Sequence, residues 1–293
     1  VIPDDSLHLL PLAALVTDLP EERMENFEQL ADKYLIHHLP ISYAYSATLW
    51  AEEPMDMSVG RPLTFLAISP ETHPFTSTGY VGADVDSLQT LFSIQQLRGQ
   101  AATKRALQRI GKDIGILHIA SHGRSEGMDP MNAYLELHPD SADDGHLHAW
   151  EIYQLELPAQ LVVLAACESG KGEVLPGEGV MSLARAFTYA GCPSLLTSLW
   201  NAESPATRSI MVPFYQGLKQ GQPTSLALQQ ATVDYLQGQE SRYQKAPYFW
   251  ANYVLIGDNA SIQIQSNRSI WPWVGMLLLL LSGVLLLLRR KGK

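Results

Sequence analysis

A chain of 293 residues with 46% hydrophobic side chains has enough apolar mass for one large domain or two modest ones. Its 20 Lys and Arg against 30 Asp and Glu leave a formal charge of −10, which argues against a phosphate-binding surface and makes nucleic acid an unexpected partner. Two cysteines, Cys167 and Cys192, exclude a disulfide scaffold; no C-x-x-C or Cys/His zinc spacing occurs, and neither a metal nor a cofactor is expected.

The chain opens at Val1 without methionine, basic leader or cleavage site, so it is expected to be the C-terminal part of a longer protein. "LHLLPLAALVTD" and "YLIHHLPISYAYSATLW" mix short apolar runs with Pro11, Pro20 and Pro40, which suggests strands and a helix that complete a sheet. Met24, Phe27, Leu30 and Ala31 have helical spacing, and "AEEPMDMSVGRP" reads as a loop. "LTFLAIS" (63–69) is a continuous apolar run of strand length, as expected of a strand covered on both faces. After the turn-rich "PETHPFTSTGYVGAD", the pattern predicts helices over "DVDSLQTLFSIQQL" and "ATKRALQRIG", then a strand in "IGILHIAS". "AYLELHP" reads as a short alternating strand in a hairpin beside the main sheet. "QLVVLAAC" predicts a strand, "GVMSLARAFTYAG" a helix, "PSLLTSLW" a strand and the following residues helices. Strands alternating with helices imply an α/β fold: an open, mostly parallel sheet with helices on both faces.

Residues 270–288, "IWPWVGMLLLLLSGVLLLL", carry no charge over 19 positions, enough at about 1.5 Å per residue to cross roughly 30 Å of hydrocarbon. A single C-terminal transmembrane helix in a lipid bilayer is expected, with Trp271 and Trp273 at its entry. "RRKGK" (289–293) follows and by the positive-inside rule lies in the cytoplasm. A tail-anchored protein with its domain in the cytoplasm would read almost identically, so the side on which the domain lies stays open.

In open parallel sheets, reactive groups gather beyond the carboxyl ends of the strands. Two runs end in such groups: "ILHIASHG" in Ser121-His122-Gly123, and "LVVLAACESG" in Cys167-Glu168-Ser169-Gly170. A thiolate is the nucleophile, so a reactive cysteine needs a neighbouring imidazole, and His122 offers one. The 45 residues between them suffice for one strand, a connection and the next strand. Gly123 permits a close turn, and its N–H and that of Cys167 can face the oxygen of a tetrahedral intermediate.

"HIASHG", "LVVLAACESGKGEVLPGEGVMSLARAFTYAG", "PSLLTSLWNAESPAT", "FYQGLKQG", "SLALQQA" and "PYFWANYVLIGD" together resemble the CHAT domain family, relatives of caspases, gingipains and separases. The resemblance covers almost all of residues 6–258. It implies a caspase-like fold and a cysteine endopeptidase acting on a protein or peptide substrate, with the His-Cys dyad falling on His122 and Cys167. It also implies a helical-repeat domain upstream in the same chain. On this reading residues 1–60 are the N-terminal part of the CHAT region, 61–258 the catalytic core and 259–269 a linker. Glu203 stands where an acidic residue of the primary pocket would select Arg or Lys, although Ser204 departs from the family's frequent paired acids; a solvated carboxylate is the rival reading. Glu178 and Gly179 are candidates to shape the site, against a carboxylate favoured by a helix N-terminus.

Other residues read as structural. His118 lacks the H-E-x-x-H glutamate, since Ile119 follows it, and is expected to be a hydrogen-bonded core histidine. His138, His146 and His148 with Asp140, Asp143 and Asp144 read as a solvated loop, and Cys192 as core packing. "GKGEVLPGEG" (170–179) lacks the phosphate-loop lysine pattern and reads as a flexible loop. Two other function classes remain: a catalytically silent interaction module of the same fold, and a dinucleotide-binding domain, for which no Gly-rich turn follows a strand.

Overall fold

The computed structural model describes residues 1–18, 27–51, 64–70, 88–89, 91–92, 94–110, 114–124, 129–157, 159–165, 172–175, 179–200 and 204–262. Its strands are β1 (Thr64–Ser69), β2 (Ile94–Arg98), β3 (Ile114–Ala120), β4 (Gly123–Arg124), β5 (Tyr134–Glu136), β6 (His146–His148), β7 (Leu161–Ala165), β8 (Gly172–Leu175), β9 (Gly179–Ser182), β10 (Ser194–Ser198) and β11 (Tyr253–Gly257). The helices are α1 (Ala47–Ala51), α2 (Lys104–Gln108), α3 (Ala149–Ile152), α4 (Leu183–Tyr189), α5 (Ser204–Lys219), α6 (Thr224–Gly238) and α7 (Pro247–Trp250).

The main sheet has the order β11-β10-β7-β3-β1-β2. All neighbours are parallel except β10 and β11. The fold is therefore mixed α/β with a largely parallel sheet, as the alternating pattern predicts. Period-two alternation divides its side chains between two layers. Ala67, Ile116, Ala120, Leu161, Val163 and Leu196 enter one core with α5 and α6; Leu66, Ile68, Leu117, Ile119, Val162, Leu164 and Leu195 enter the other with α4 and the small sheet. Because both faces are covered, β3 is buried at every position, which is why it reads as an apolar run with His118 as its one polar side chain.

A second, three-stranded antiparallel sheet has the order β4-β5-β6 and bears the predicted "AYLELHP" strand. Its Leu135 and Leu147 are fully buried against the main sheet. A partly buried ion pair ties α2 to α3: Lys104 Nζ lies 3.2 Å from Glu151 Oε1, while Glu151 Oε2 accepts the His148 N–H at 2.9 Å. Thr103 caps α2 by accepting the Ala106 N–H.

Four local expectations are corrected. Within "DVDSLQTLFSIQQL", the Leu91 and Phe92 N–H groups bond to the Leu88 carbonyl as in a helix, but Ile94–Arg98 form β2; Ile94 and Leu97 extend the apolar spacing while parallel pairing with β1 takes the backbone. Within "GKGEVLPGEG" and "GVMSLARAFTYAG", the expected loop and the start of the expected helix form a hairpin, with Val174 opposite Val180; α4 begins only at Leu183. Pairing between the two strands of this hairpin overrides the helical signal of the single segment. The expected N-terminal strands are absent among the described residues: 1–18 and 27–46 contain short 3-10 turns, with Pro11 and Pro40 removing two N–H donors. A bridge joins this segment to the sheet, as Tyr43 exchanges hydrogen bonds with Leu255 and Gly257 at 2.8 and 2.7 Å. Finally, His146–His148 lie in β6 and not in a loop, and β11 is a strand with no counterpart in the pattern reading.

Among the described residues no helix is long and apolar enough to cross a membrane; residues 270–288 lie outside them.

Candidate active site

Strands β3 and β7 lie side by side in the middle of the sheet, with Ala120 opposite Ala165 in the parallel register. Ser121 and His122 follow β3 directly, then Gly123 opens β4, so the chain passes from the main sheet to the small one across two residues. His122 is partly buried. Cys167 stands two positions beyond Ala165 in sequence, as His122 stands two beyond Ala120. Cys167 and the other candidates Glu178 and Glu203 lie outside the described residues.

The backbone at His122 is held by Glu136 of β5. The Glu136 N–H donates to the His122 carbonyl at 2.8 Å, and the hydroxyl of Ser121, only 3% exposed, donates to the Glu136 carbonyl. Two positions past His122, Arg124 Nε donates to Glu136 Oε1 at 2.5 Å. Glu136 thus has attachments before, at and after the histidine. The Ser-His-Gly triplet offers a sequence signal for Ser121, a polar residue at the end of a buried strand; nothing in the sequence signals Glu136, which arrives through cross-strand register.

That register also fixes Gly123. The Glu136 N–H bond to His122 makes Gly123 and Leu135 a non-hydrogen-bonded pair, so the Gly123 N–H points away from β5. Among the described residues β4 ends the small sheet, so this donor lies on its side away from β5.

Two neighbours are structural, as expected. His118, fully buried on the α5 side of β3, bonds through Nδ1 to the Tyr215 hydroxyl at 2.8 Å. Cys192, 1% exposed, donates its thiol to the Leu157 carbonyl, and burial pushes that thiol up to about 12, far from a reactive value.

The histidine-aspartate stretch is occupied with its own structure. Tyr134 stacks on His146 at 4.2 Å between ring centroids, and His148 on Trp150 at 6.1 Å. Asp140, Asp143 and Asp144 accept the N–H groups of Ala142, Gly145 and His146. These backbone bonds are the main cause holding the carboxyls of Asp140 and Asp144 below their ordinary value. No group of His, Cys, Asp and Glu that could hold a metal ion occurs among the described residues.

The chain is similar to several known proteins. Tetratricopeptide repeat protein 28 of Homo sapiens is 33% identical over 121 residues, which is 41% of this chain and 5% of the relative. The chain therefore spans only a small part of that protein's length. The Saccharomyces cerevisiae separase in its crystallised complex with securin superposes with a TM-score of 0.55 at 15% identity, covering 86% of this chain and 15% of the separase chain. Gingipain R, an Arg-specific cysteine proteinase, gives a TM-score of 0.45 at 13% identity, over 69% of this chain and 47% of its own. The CHAT domain profile matches residues 1–258, so the chain belongs to the CHAT domain family.

Proposed function

We propose that the chain is a cysteine endopeptidase in which His122 and Cys167 form the catalytic pair. The register of β3 and β7 carries the reading: both residues follow a matched pair, Ala120 and Ala165, by two positions. Parallel neighbours leave a sheet in one direction about 4.8 Å apart, which supports a meeting of the two side chains beyond the carboxyl edge. The chemistry then follows. His122 takes the Cys167 thiol proton, and the thiolate attacks a peptide carbonyl carbon. The N–H groups of Gly123 and Cys167 hold the oxyanion. As the C–N bond breaks, His122 protonates the leaving amine; it next takes a proton from water, which hydrolyses the thioester to the acid and restores the thiol.

Profiling a peptide library with wild type, Cys167→Ala and His122→Ala tests this reading. Cleavage in wild type and its loss in both variants is expected; undiminished cleavage by Cys167→Ala refutes it. A silent interaction module of the same fold predicts no cleavage by any of the three.

Three finer proposals accompany it. Glu203 would select Arg or Lys before the cut bond, with Glu178 shaping the site; Glu203→Gln should reduce that preference, and an unchanged profile would exclude it. Residues 270–288 would anchor the chain in a bilayer; recovery of the expressed chain in an alkaline-wash supernatant would contradict this. Finally, the name of the human relative supports a neighbouring helical-repeat domain, and finding no repeat in the full-length gene product would remove it.

A further inference from the structure

We infer that Ser121 and Glu136 are positioning residues that set His122 for proton transfer, a proposal that rests on the reading of His122 as the base. Two observations carry it. Ser121 is almost wholly buried and its hydroxyl donates to the Glu136 carbonyl, while the Glu136 N–H donates to the His122 carbonyl. One residue of β5 therefore grips two consecutive residues of the turn, once through a side chain and once through the backbone. The Glu136 carboxylate extends the grip by binding Arg124 on the far side of His122.

The need for such a grip follows from topology. His122 lies where the chain leaves one sheet for another, so neither ladder alone fixes it. A general base must stay within hydrogen-bond reach of the proton it moves, and a displacement of about 1 Å can cost on the order of 100-fold in rate. The Ser121 hydroxyl couples the turn to β5 at its first residue, and Glu136 with Arg124 closes it at the last. Neither Ser121 nor Glu136 needs to touch substrate, so both act through His122.

Ser121→Ala and Ser121→Thr separate this role from plain stabilisation, measured on the full chain with the best peptide from the library. Ser121→Ala should lower kcat roughly 10- to 100-fold with KM within about two-fold, and move the acidic limb of the kcat/KM profile. Ser121→Thr, which keeps the hydroxyl, should recover most of the loss. Hydrogen exchange at the Glu136 amide, read on the same proteins, should quicken in Ser121→Ala and not in Ser121→Thr. If Ser121→Ala does not fold, Ser121→Cys, with its weaker donor, takes its place. A kcat within two-fold of wild type with an unmoved pH profile overturns the proposal. Absence of cleavage by wild type instead refutes the catalytic reading itself and removes this proposal with it.

Discussion

Replacing Tyr215 by Phe tests whether the two histidines at the end of β3 have different duties. Tyr215 and His118 are both fully buried and meet at 2.8 Å between the hydroxyl and Nδ1. Whichever partner donates, loss of the hydroxyl removes that bond from a ring nitrogen in the core and scarcely changes the packed volume. A buried polar atom left without its partner costs about 1–3 kcal/mol. At roughly 2–4 °C per kcal/mol for a domain of this size, calorimetry should show Tm falling by about 2–12 °C. Peptidase activity per folded molecule at 25 °C should stay within two-fold of wild type, whereas His122→Ala should abolish activity with little change in Tm. A Tyr215→Phe protein with unaltered Tm, or one as inactive as His122→Ala, would refute the division into a structural and a catalytic histidine.

Other outcomes follow from particular contacts. Gly257 has φ +94°, and a Cβ there would collide with the Pro193 carbonyl, so Gly257→Ala should cost at least about 2 kcal/mol in urea unfolding by prising β11 from β10. Thr103→Ala removes the cap of α2 and should cost about 1 kcal/mol in the same assay. Cys192, whose thiol is raised to about 12 in the fold, ionises sooner when unfolded; its contribution is complete below about pH 9 and is lost as pH rises toward 12. Cys192→Ala should flatten the alkaline fall of stability over that window, and an unchanged fall would exclude this source. The same burial should leave Cys192 unalkylated at neutral pH until the chain unfolds.

The central strands β1, β3 and β7 are legible because burial on both faces writes them as predominantly apolar runs, "LTFLAIS", "IGILHIA" and "LVVLA"; β10 is read from "PSLLTSLW" although its Ser194, Thr197 and Ser198 are polar and buried. Strands at the margins are not. β2 is a partly buried strand at one edge, and β8 and β9 are stabilised by facing each other, a relation that local spacing does not encode. The site divides in the same way. His122 and Gly123 are visible as the end of a buried run, and His118 as its structural neighbour. Glu136 is invisible, since only the antiparallel pairing of β4 with β5 brings it to the histidine.

The most direct measurement of the central claim is the rate and site of covalent labelling by an electrophilic peptide probe, read by intact mass and fragment spectra. The account predicts one adduct, on Cys167, in wild type; none in Cys167→Ala; labelling slowed by at least about 100-fold in His122→Ala; and no label on Cys192. Labelling of Cys167 at the wild-type rate in His122→Ala, or no labelling of wild type while Tm and fold are intact, would contradict it.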